Sequence, residues 1–523
     1  MRIFRNAGLR LAALAAAFLL WASAAGGTEL RIGLAADVTS MDPHFLNLAP
    51  NSNIGWHVFD ALTHVDEDAR LIPGLAESWR AIDGNTWEFR LRRGVKFHDG
   101  SELTAEDVVA SIERTLKVPS GQFRTFTQRI VGKRIVDRYT LRLRTATPYA
   151  MVPYDLDSVF IISKKALDAS TEDFNSGKAM IGTGPFRFVR FVRGDRIELA
   201  RNDAYWNGAP EWDKVIFRII PSDPARIAAL LSGDVDVVEQ VPPADLPRVR
   251  GDPDLRVAEK ISWRTIFFHL DQVRDRAPSL ADKSGRPLER NPFRDRRVRR
   301  AISEAIDRRA IAQRLMEGAA VPASNLVSPP VFGYAADLKP DRYDPADARK
   351  LLAEAGYPDG FAMTLAAPNN RYVDDDQIAQ AVAQMLAHVG IRVRVELFPI
   401  NAYLPKARKR EFAFAMLGWG SFSGDLALRS LVASPNPDKG FGAWNWSGYS
   451  NRAVDELLER GFASVDENRR ERLAREAMRL AMRDDAVIPL HHQIATWALR
   501  RGLAYAGRTD EYTLARQIHA QPR

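Results

Sequence analysis

One stretch of the sequence, LGWGSFSGDL (417–426), combines side chains that suit the holding of a small ligand. The apolar run FAFAML (412–417) predicts a buried strand, and Trp419, Phe422 and Asp425 follow it among glycines and serines. Large aromatic side chains beside glycines suit a concave pocket that contacts apolar or planar parts of a ligand. We interpret the stretch as one wall of such a pocket, with Asp425 as its single charge. The alternative is that the two rings pack under a neighbouring helix.

A second aromatic segment, GFGAWNWSGYSN (440–451), has neither a helical nor an alternating pattern. It therefore predicts a long loop, and long loops in compact domains often carry function. Trp444 and Trp446 lie in this segment and are further candidates to line the pocket. The alternative is a loop that uses its tryptophans only to pack itself down.

The patterns of catalysis and metal binding are missing from the sequence. There is no G-x-S-x-G, no P-loop and no H-E-x-x-H, and the chain has no cysteine for a thiol nucleophile or a thiolate metal site. His491 and His492 are neighbours on a predicted strand, so they point to opposite faces and cannot share one metal ion. We expect a protein that is not an enzyme and that has no metal and no cofactor.

The beginning of the sequence has the pattern of a secretory signal peptide. Arg2, Arg5 and Arg10 precede and flank an apolar run (11–21) that is too short to span a bilayer, and small residues follow it. We predict cleavage after Ala24 or Ala25, which leaves a signal peptide of about residues 1–24. Since no cysteine is present to carry a lipid anchor, we expect free solution in a bacterial periplasm.

Length and charge narrow the function classes further. A chain of 523 residues exceeds the size of one hydrophobic core, so at least two domains are expected. The net charge is +8, and basic residues alternate with acidic ones in DRRVRRAISEAIDRR (295–309). Such alternation is typical of a solvated helix face, so we expect no nucleic-acid partner.

The elements of the second half must position these residues. Strand-like runs (362–368, 392–399 and 412–417) alternate with two predicted helices, and the order β-α-β-α-β predicts a parallel sheet with right-handed crossovers. Ligands of such α/β sheets bind beyond the carboxyl ends of the strands. Trp419 and Phe422 follow one of these ends, and residues 369–372 follow another. The first half reads instead as hairpin-like strands with a few helices.

Four blocks carry a resemblance to a known family. They are LIPGLAESWRAIDGNTWEFRLRRGVKFHDGSELTAEDVVASIER (71–114), IGTGPFRFVRF to EWDKVIFRII (181–220), NPFRDRRVRRAISEAIDRRAI (291–311) and DPADARKLLAEAGYPDG (344–360). The chain resembles family 5 of the extracellular solute-binding proteins, the peptide- and nickel-binding group that serves ABC importers. This implies an α/β periplasmic binding protein of two lobes joined by two crossings.

The resemblance also implies domain boundaries. Lobe I would comprise residues 25–265 with an extra subdomain inserted at about 46–180, and lobe II residues 266–489. Residues 490–523 would return to lobe I.

The resemblance further implies site residues. In dipeptide binders of the family, an arginine after the strand that matches 362–368 holds the peptide carboxylate, and Arg371 stands there. An aspartate three residues after the matching tryptophan holds the amino group, but Phe422 stands at that position. Asp425 could replace it if the loop curls back. By the same analogy Phe45 would face the cleft from lobe I, although it could equally belong to the core.

We therefore predict a monomeric binding protein that passes a small peptide-like, carboxylate-bearing ligand to an ABC-importer permease. A metal chelate, an opine or a sugar conjugate stacked on the tryptophans is the alternative ligand. A chaperone-like or chemoreceptor-linked binding protein is the alternative role.

Overall fold

The fold is described by a computed structural model of residues 28–521. The predicted signal peptide (1–24) lies outside these residues. Within them, no helix combines the length and the apolar character needed to cross a membrane.

The strands of residues 28–521 range from short edge pieces to two long central ones. In chain order they are β1 (Glu29–Leu34), β2 (Thr63–Val65), β3 (Leu71–Pro73), β4 (Ala76–Ala81), β5 (Thr86–Leu91), β6 (Ile130–Asp137), β7 (Thr140–Thr145), β8 (Phe186–Val192), β9 (Arg196–Arg201), β10 (Lys214–Ile219), β11 (Val237–Glu239), β12 (Leu255–Leu270), β13 (Ala320–Pro322), β14 (Ala362–Pro368), β15 (Arg392–Phe398), β16 (Phe414–Gly420), β17 (Ile488–Arg500), β18 (Leu503–Ala504) and β19 (His519–Ala520).

The α-helices of the same residues fill the connections. They are α1 (Ala49–Val58), α2 (Ala105–Lys117), α3 (Arg124–Thr127), α4 (Val152–Asp155), α5 (Thr171–Asn175), α6 (Asp223–Ser232), α7 (Leu246–Gly251), α8 (Arg296–Glu304), α9 (Arg308–Ala310), α10 (Pro345–Glu354), α11 (Asp375–Ala387), α12 (Ile400–Arg408), α13 (Gly424–Leu431), α14 (Arg452–Phe462) and α15 (Glu467–Arg483).

The largest sheet has eleven strands in the order β15-β14-β16-β12-β17-β11-β1-β10-β9-β8, with β13 paired to β17. β14 pairs in parallel with β15 and with β16, which confirms the parallel arrangement predicted from the alternating pattern. The carboxyl ends of β14 and β16 therefore open at the same edge of the sheet. At the far end, β1 is parallel to β10 while β8, β9 and β10 are antiparallel neighbours.

Two long antiparallel strands connect the halves of this sheet. β12 pairs with β17 along most of its length and with β16 through residues 264–270. β17 in turn pairs with β11 through residues 497–499. The predicted lobe boundaries at 265 and 489 fall on these two strands. Those boundaries stay a prediction.

A separate antiparallel sheet, β4-β5-β7-β6, lies within the segment predicted as an inserted subdomain. Helix α2 of the same segment begins at a capping box formed by Thr104 and Asp107. The segment contacts the second half of the chain, where the Ala150 amide donates to the Phe462 carbonyl over 2.9 Å.

Candidate ligand-binding site

The loop after β16 is short and is held by hydrogen bonds, although its glycines would allow a flexible loop. Only residues 421–423 separate β16 from α13, and the Ser421 hydroxyl bonds both the amide and the carbonyl of Ser423, at 3.2 and 2.8 Å. The Gly424 amide donates to the Phe332 carbonyl over 2.7 Å. The half-buried Phe422 ring stacks on Tyr154, with centroids 5.7 Å apart and planes at 10°. This turn fixes the position of each side chain that follows β16.

Asp425 lies in the first turn of α13 and is buried. Its Oδ2 accepts from Arg470 Nε over 2.8 Å, and its Oδ1 accepts from the Leu426 amide and the Ser423 hydroxyl. Both members of the Asp425–Arg470 pair have 3% of their side-chain surface exposed. The carboxylate is thus already neutralised inside the protein. Its predicted role toward an ammonium group is not favoured by this geometry.

The three tryptophans predicted to line the pocket contact one another in a row. Trp419 lies 5.2 Å from Trp444, and Trp444 lies 5.6 Å from Trp446, centroid to centroid. Trp419 and Trp444 are half-buried, while Trp446 is buried against His269 and Tyr403. Trp446 therefore packs as a core residue, Trp419 lines the cavity described next, and Trp444 lies between them without lining it.

The first of two cavities lies at the end of β16, is here called the aromatic cavity and has a volume of about 330 Å³. Seven aromatic side chains from both halves of the chain line it: Trp56, Phe126, Phe160, Trp263, Trp419, Phe422 and Tyr512. Trp263 and Tyr512 meet edge to face with centroids 6.5 Å apart. Rings arranged in this way offer a large contact area, which suits a small organic ligand.

Two carboxyl groups lie in the wall of the aromatic cavity. Asp155 and Asp157 both line it, and both are buried. Burial raises the pKa of Asp155 to about 7 and the pKa of Asp157 to about 8. Arg429, which also lines the cavity, is the charged group of opposite sign in this wall.

The second cavity, here called the arginine cavity, has a volume of about 450 Å³ and contains Arg371. Arg264 and Glu511 form an ion pair there, with Nη2 and Oε2 2.7 Å apart. The Asp375 carboxylate accepts from the backbone amides of Arg371 and Tyr372, both over 3.0 Å, so it holds this loop at the start of α11. Burial, and then the charge of Arg264, lower the pKa of Arg371.

One wall separates the two cavities. Trp263 lines the aromatic cavity and Arg264 the arginine cavity, because consecutive residues of a strand point to opposite faces. Tyr512 and Glu511 divide in the same way. The structure thus brings Trp419 and Phe422 together in one cavity and places Arg371 in the other.

Phe45 is half-buried in the turn before α1, and its carbonyl accepts from the Gln122 amide over 2.8 Å. Asn47, two residues later, contributes to the aromatic cavity. Sequence reasoning missed Asp155, Asp157 and Trp263. No local motif marks these three residues, and they come close to the end of β16 only in the folded chain.

Comparison with known proteins agrees with this architecture. Residues 70–431 match the family described as bacterial extracellular solute-binding proteins, family 5 Middle. A solved structure of the periplasmic binding protein DppA from Helicobacter pylori in complex with the peptide STSA superposes with a TM-score of 0.76 at 25% identity. The superposition covers 95% of this chain and 99% of that one.

Relatives of known function share most of their length with this chain. The dipeptide-binding protein of Escherichia coli K12 is 30% identical over 450 residues, which cover 80% of this chain and 79% of the relative. The glutathione-binding protein GsiB of Salmonella choleraesuis is 29% identical over 500 residues, or 92% of each chain. The two-lobed fold, the order of its blocks and these matches agree, and the chain belongs to family 5 of the bacterial extracellular solute-binding proteins.

Proposed function

We propose that this protein captures a peptide or peptide-like carboxylate-bearing solute between its lobes and delivers it to the permease of an ABC importer. The names of the dipeptide-binding and glutathione-binding relatives support a peptide ligand. The observation that carries the proposal is the aromatic cavity at the carboxyl edge of β16, with the exposed Arg371 in the neighbouring cavity. The proposed location is the periplasm, after removal of the predicted signal peptide (1–24).

Arg371 is the proposed anchor for the ligand carboxylate. Arg264 already pairs with Glu511, whereas no ion pair joins the Arg371 side chain to another residue of the described part. Burial is the main cause of the lowered pKa of Arg371, and repulsion by the Arg264 charge adds to it. A carboxylate placed between Arg371 and Arg264 would relieve that repulsion and accept charge-assisted hydrogen bonds.

A thermal-shift screen identifies the ligand class. The purified mature protein is mixed with di-, tri- and oligopeptides, N-blocked peptides, opines and nickel chelates. A ligand at about 100 times its dissociation constant raises the free energy of unfolding by about 2.7 kcal/mol, which moves the midpoint measurably. Shifts with peptides support the proposal. Shifts confined to opines or chelates would support the alternative ligand instead.

The role of Arg371 is tested by calorimetry with a peptide found in that screen. Replacement Arg371→Gln removes the charge, and we expect the affinity to fall by about ten- to a hundredfold, the worth of charged hydrogen bonds. The same peptide with an amidated carboxyl end should show little dependence on Arg371.

The matched control for this experiment is Arg392→Gln. Arg392 is exposed and pairs with Ala362 at the amino end of β14, away from both cavities, so this variant should bind like the wild type. Equal affinity of Arg371→Gln and wild type for the free carboxylate would refute the anchor role while leaving peptide capture intact.

A further inference from the structure

We propose that Asp157, supported by Asp155, forms a subsite for a cationic nitrogen of the ligand in the wall of the aromatic cavity. The inference rests on the proposed function, since it names the chemical class of solute that the site accepts. It places the cation-binding group on α4 and the residues after it, rather than on the β16 turn where Phe422 stands.

Asp157 is a buried polar group without a full set of partners. Its residue is 8% exposed, it lines the aromatic cavity, and its Oδ1 has no hydrogen-bond partner among residues 28–521. A carboxyl oxygen buried in this state is costly unless something supplies a donor. A ligand N–H group entering the cavity would supply it.

No neighbouring cation is free to pair with the ionised form of the Asp157 carboxyl. The groups that act on it are Asp510, Arg508 and the Val65 backbone amide. Arg508 and Asp510 pair with each other, Nη2 to Oδ2 over 2.5 Å, so the arginine is already committed. The electrostatic environment therefore favours the arrival of an additional positive charge.

Asp155 is in a different position. Its Oδ2 accepts a hydrogen bond from the Tyr149 hydroxyl over 2.9 Å. The positive charges of Arg429 and Arg129 partly offset the rise that burial causes in the Asp155 pKa. In its ionised form Asp155 adds negative potential to the same wall, and the Arg429 charge neutralises part of that potential. Asp157 is accordingly the direct contact in this proposal and Asp155 a supporting charge.

The rest of the cavity suits a cation as well. Trp56, Trp263 and Tyr512 present rings to the same space, and aromatic faces attract ammonium and guanidinium groups. The cation can be the free amino end of a peptide or a basic side chain, since both offer the same N–H donors. Phe422 contributes only a ring to this cavity, so the carboxyl groups available to the cation are those of Asp155 and Asp157.

Binding of a cation should release a proton. With its raised pKa, the Asp157 carboxyl carries a proton at neutral pH in the empty cavity. When the ligand nitrogen arrives, the carboxyl O–H bond breaks, the proton passes to the buffer, and the carboxylate accepts the ligand N–H bond. Calorimetric binding heats should therefore depend on the ionisation heat of the buffer.

Four probes test the proposal by calorimetry on the full mature chain. They are trialanine, N-acetyl-trialanine, N-acetyl-Ala-Ala-Lys and trialanine amide. Replacement Asp157→Asn should weaken the cationic probes by about tenfold or more, leave N-acetyl-trialanine unchanged, and abolish the buffer dependence. Loss for trialanine identifies the amino end as the source of the cation. Loss confined to N-acetyl-Ala-Ala-Lys identifies the side chain.

The controls separate this inference from the proposed function. Asp438→Asn removes an exposed aspartate and should bind as the wild type does. Asp155→Asn serves as a second variant if Asp157→Asn unfolds, with a smaller loss expected.

Unchanged binding of every cationic probe by folded Asp157→Asn, or a wild type that binds only N-acetyl-trialanine, overturns the cation subsite and keeps peptide capture. Binding of trialanine amide alone, dependent on Asp157, keeps the subsite and refutes carboxylate recognition.

Discussion

Burial decides what an individual charged residue can do in this protein. Asp425 and Arg470 are both withdrawn from solvent and pair with each other, and the Arg470 guanidinium also lies 4.3 Å from the Tyr154 ring centroid. Removing one partner would leave the other as an unpaired buried charge, which is far more costly than the loss of an exposed pair.

Replacement Asp425→Asn should therefore lower the free energy of unfolding of the ligand-free protein by about 3 kcal/mol or more. Urea unfolding monitored by circular dichroism measures this change. The matched control is Glu456→Gln, which breaks the exposed Arg452–Glu456 pair and should cost less than about 1 kcal/mol. Similar losses in both variants would show that the Asp425–Arg470 pair does not act as a buried pair.

The sequence predicted side-chain types near the site better than their environments. Aromatic residues after a strand pointed to a pocket, and Trp419 and Phe422 do line a cavity. Whether a carboxylate is free depends on distant partners, and Arg470 is 45 residues from Asp425 along the chain. Asp157 could not be recognised from the sequence for the same reason. The neighbours that set its environment, Arg508 and Asp510, come from the other end of the chain.

At the level of elements, the close contacts of β16 depend on a residue without a side chain. A Cβ atom at Gly418 would lie 2.6 Å from both Ile266 Cδ1 and Tyr372 Cε1. The Tyr372 hydroxyl also donates to the Gly418 carbonyl over 3.1 Å. This contact positions the segment that carries Arg371.

Gly418→Ala should lower the free energy of unfolding by about 1–3 kcal/mol, the usual cost of forcing extra volume into a packed region. It should also weaken binding of carboxylate ligands, because the displaced Tyr372 is adjacent to Arg371. Chemical unfolding and calorimetry measure the two effects. Gly251→Ala is the control, since a Cβ there meets no atom within 4 Å. Full stability and affinity in Gly418→Ala would contradict the packing argument.

Local signals predicted several elements well. Asp before Pro is typical of a helix start and Gly of a helix end, and Asp344 indeed caps α10, Pro345 is its first residue and Gly356 follows it with φ +94°. The apolar run VIPLHH predicts a strand over 487–492, whereas β17 spans Ile488–Arg500. Its second part is stabilised by β11 and β12, which lie far away in the sequence, so local alternation gave no measure of its length.

At the scale of the whole molecule, buried histidines set the response to acid. Seven of the nine histidines have a lowered pKa caused mainly by burial: His44, His57, His64, His98, His269, His491 and His492. The pKa falls to about 4 for His44 and to about 3 for His491. The folded protein therefore binds fewer protons than the unfolded chain once the pH drops below the ordinary histidine value.

Stability should consequently fall as the pH decreases from about 6.5 toward 4, by up to about 1.4 kcal/mol per pH unit for each such histidine. Asp155 and Asp157 act in the opposite sense, because their raised pKa values make stability fall as the pH rises through about 7 and 8. We expect maximal stability near pH 6 to 7. Urea unfolding at pH 5, 6, 7 and 8 checks this, and a flat profile across that range would contradict it.

The wall between the two cavities has a consequence for biosensor design. Arg264 and Glu511 clamp β12 to the segment that follows β17, and the Trp263 amide donates to the Thr509 carbonyl over 2.9 Å beside them. Trp263 and Tyr512 project from the other side of that clamp. A library that randomises Trp263 and Tyr512 can change ligand selectivity while the Arg264–Glu511 ion pair keeps the two segments together. The residues that contact the ligand can therefore be varied separately from those that hold the fold.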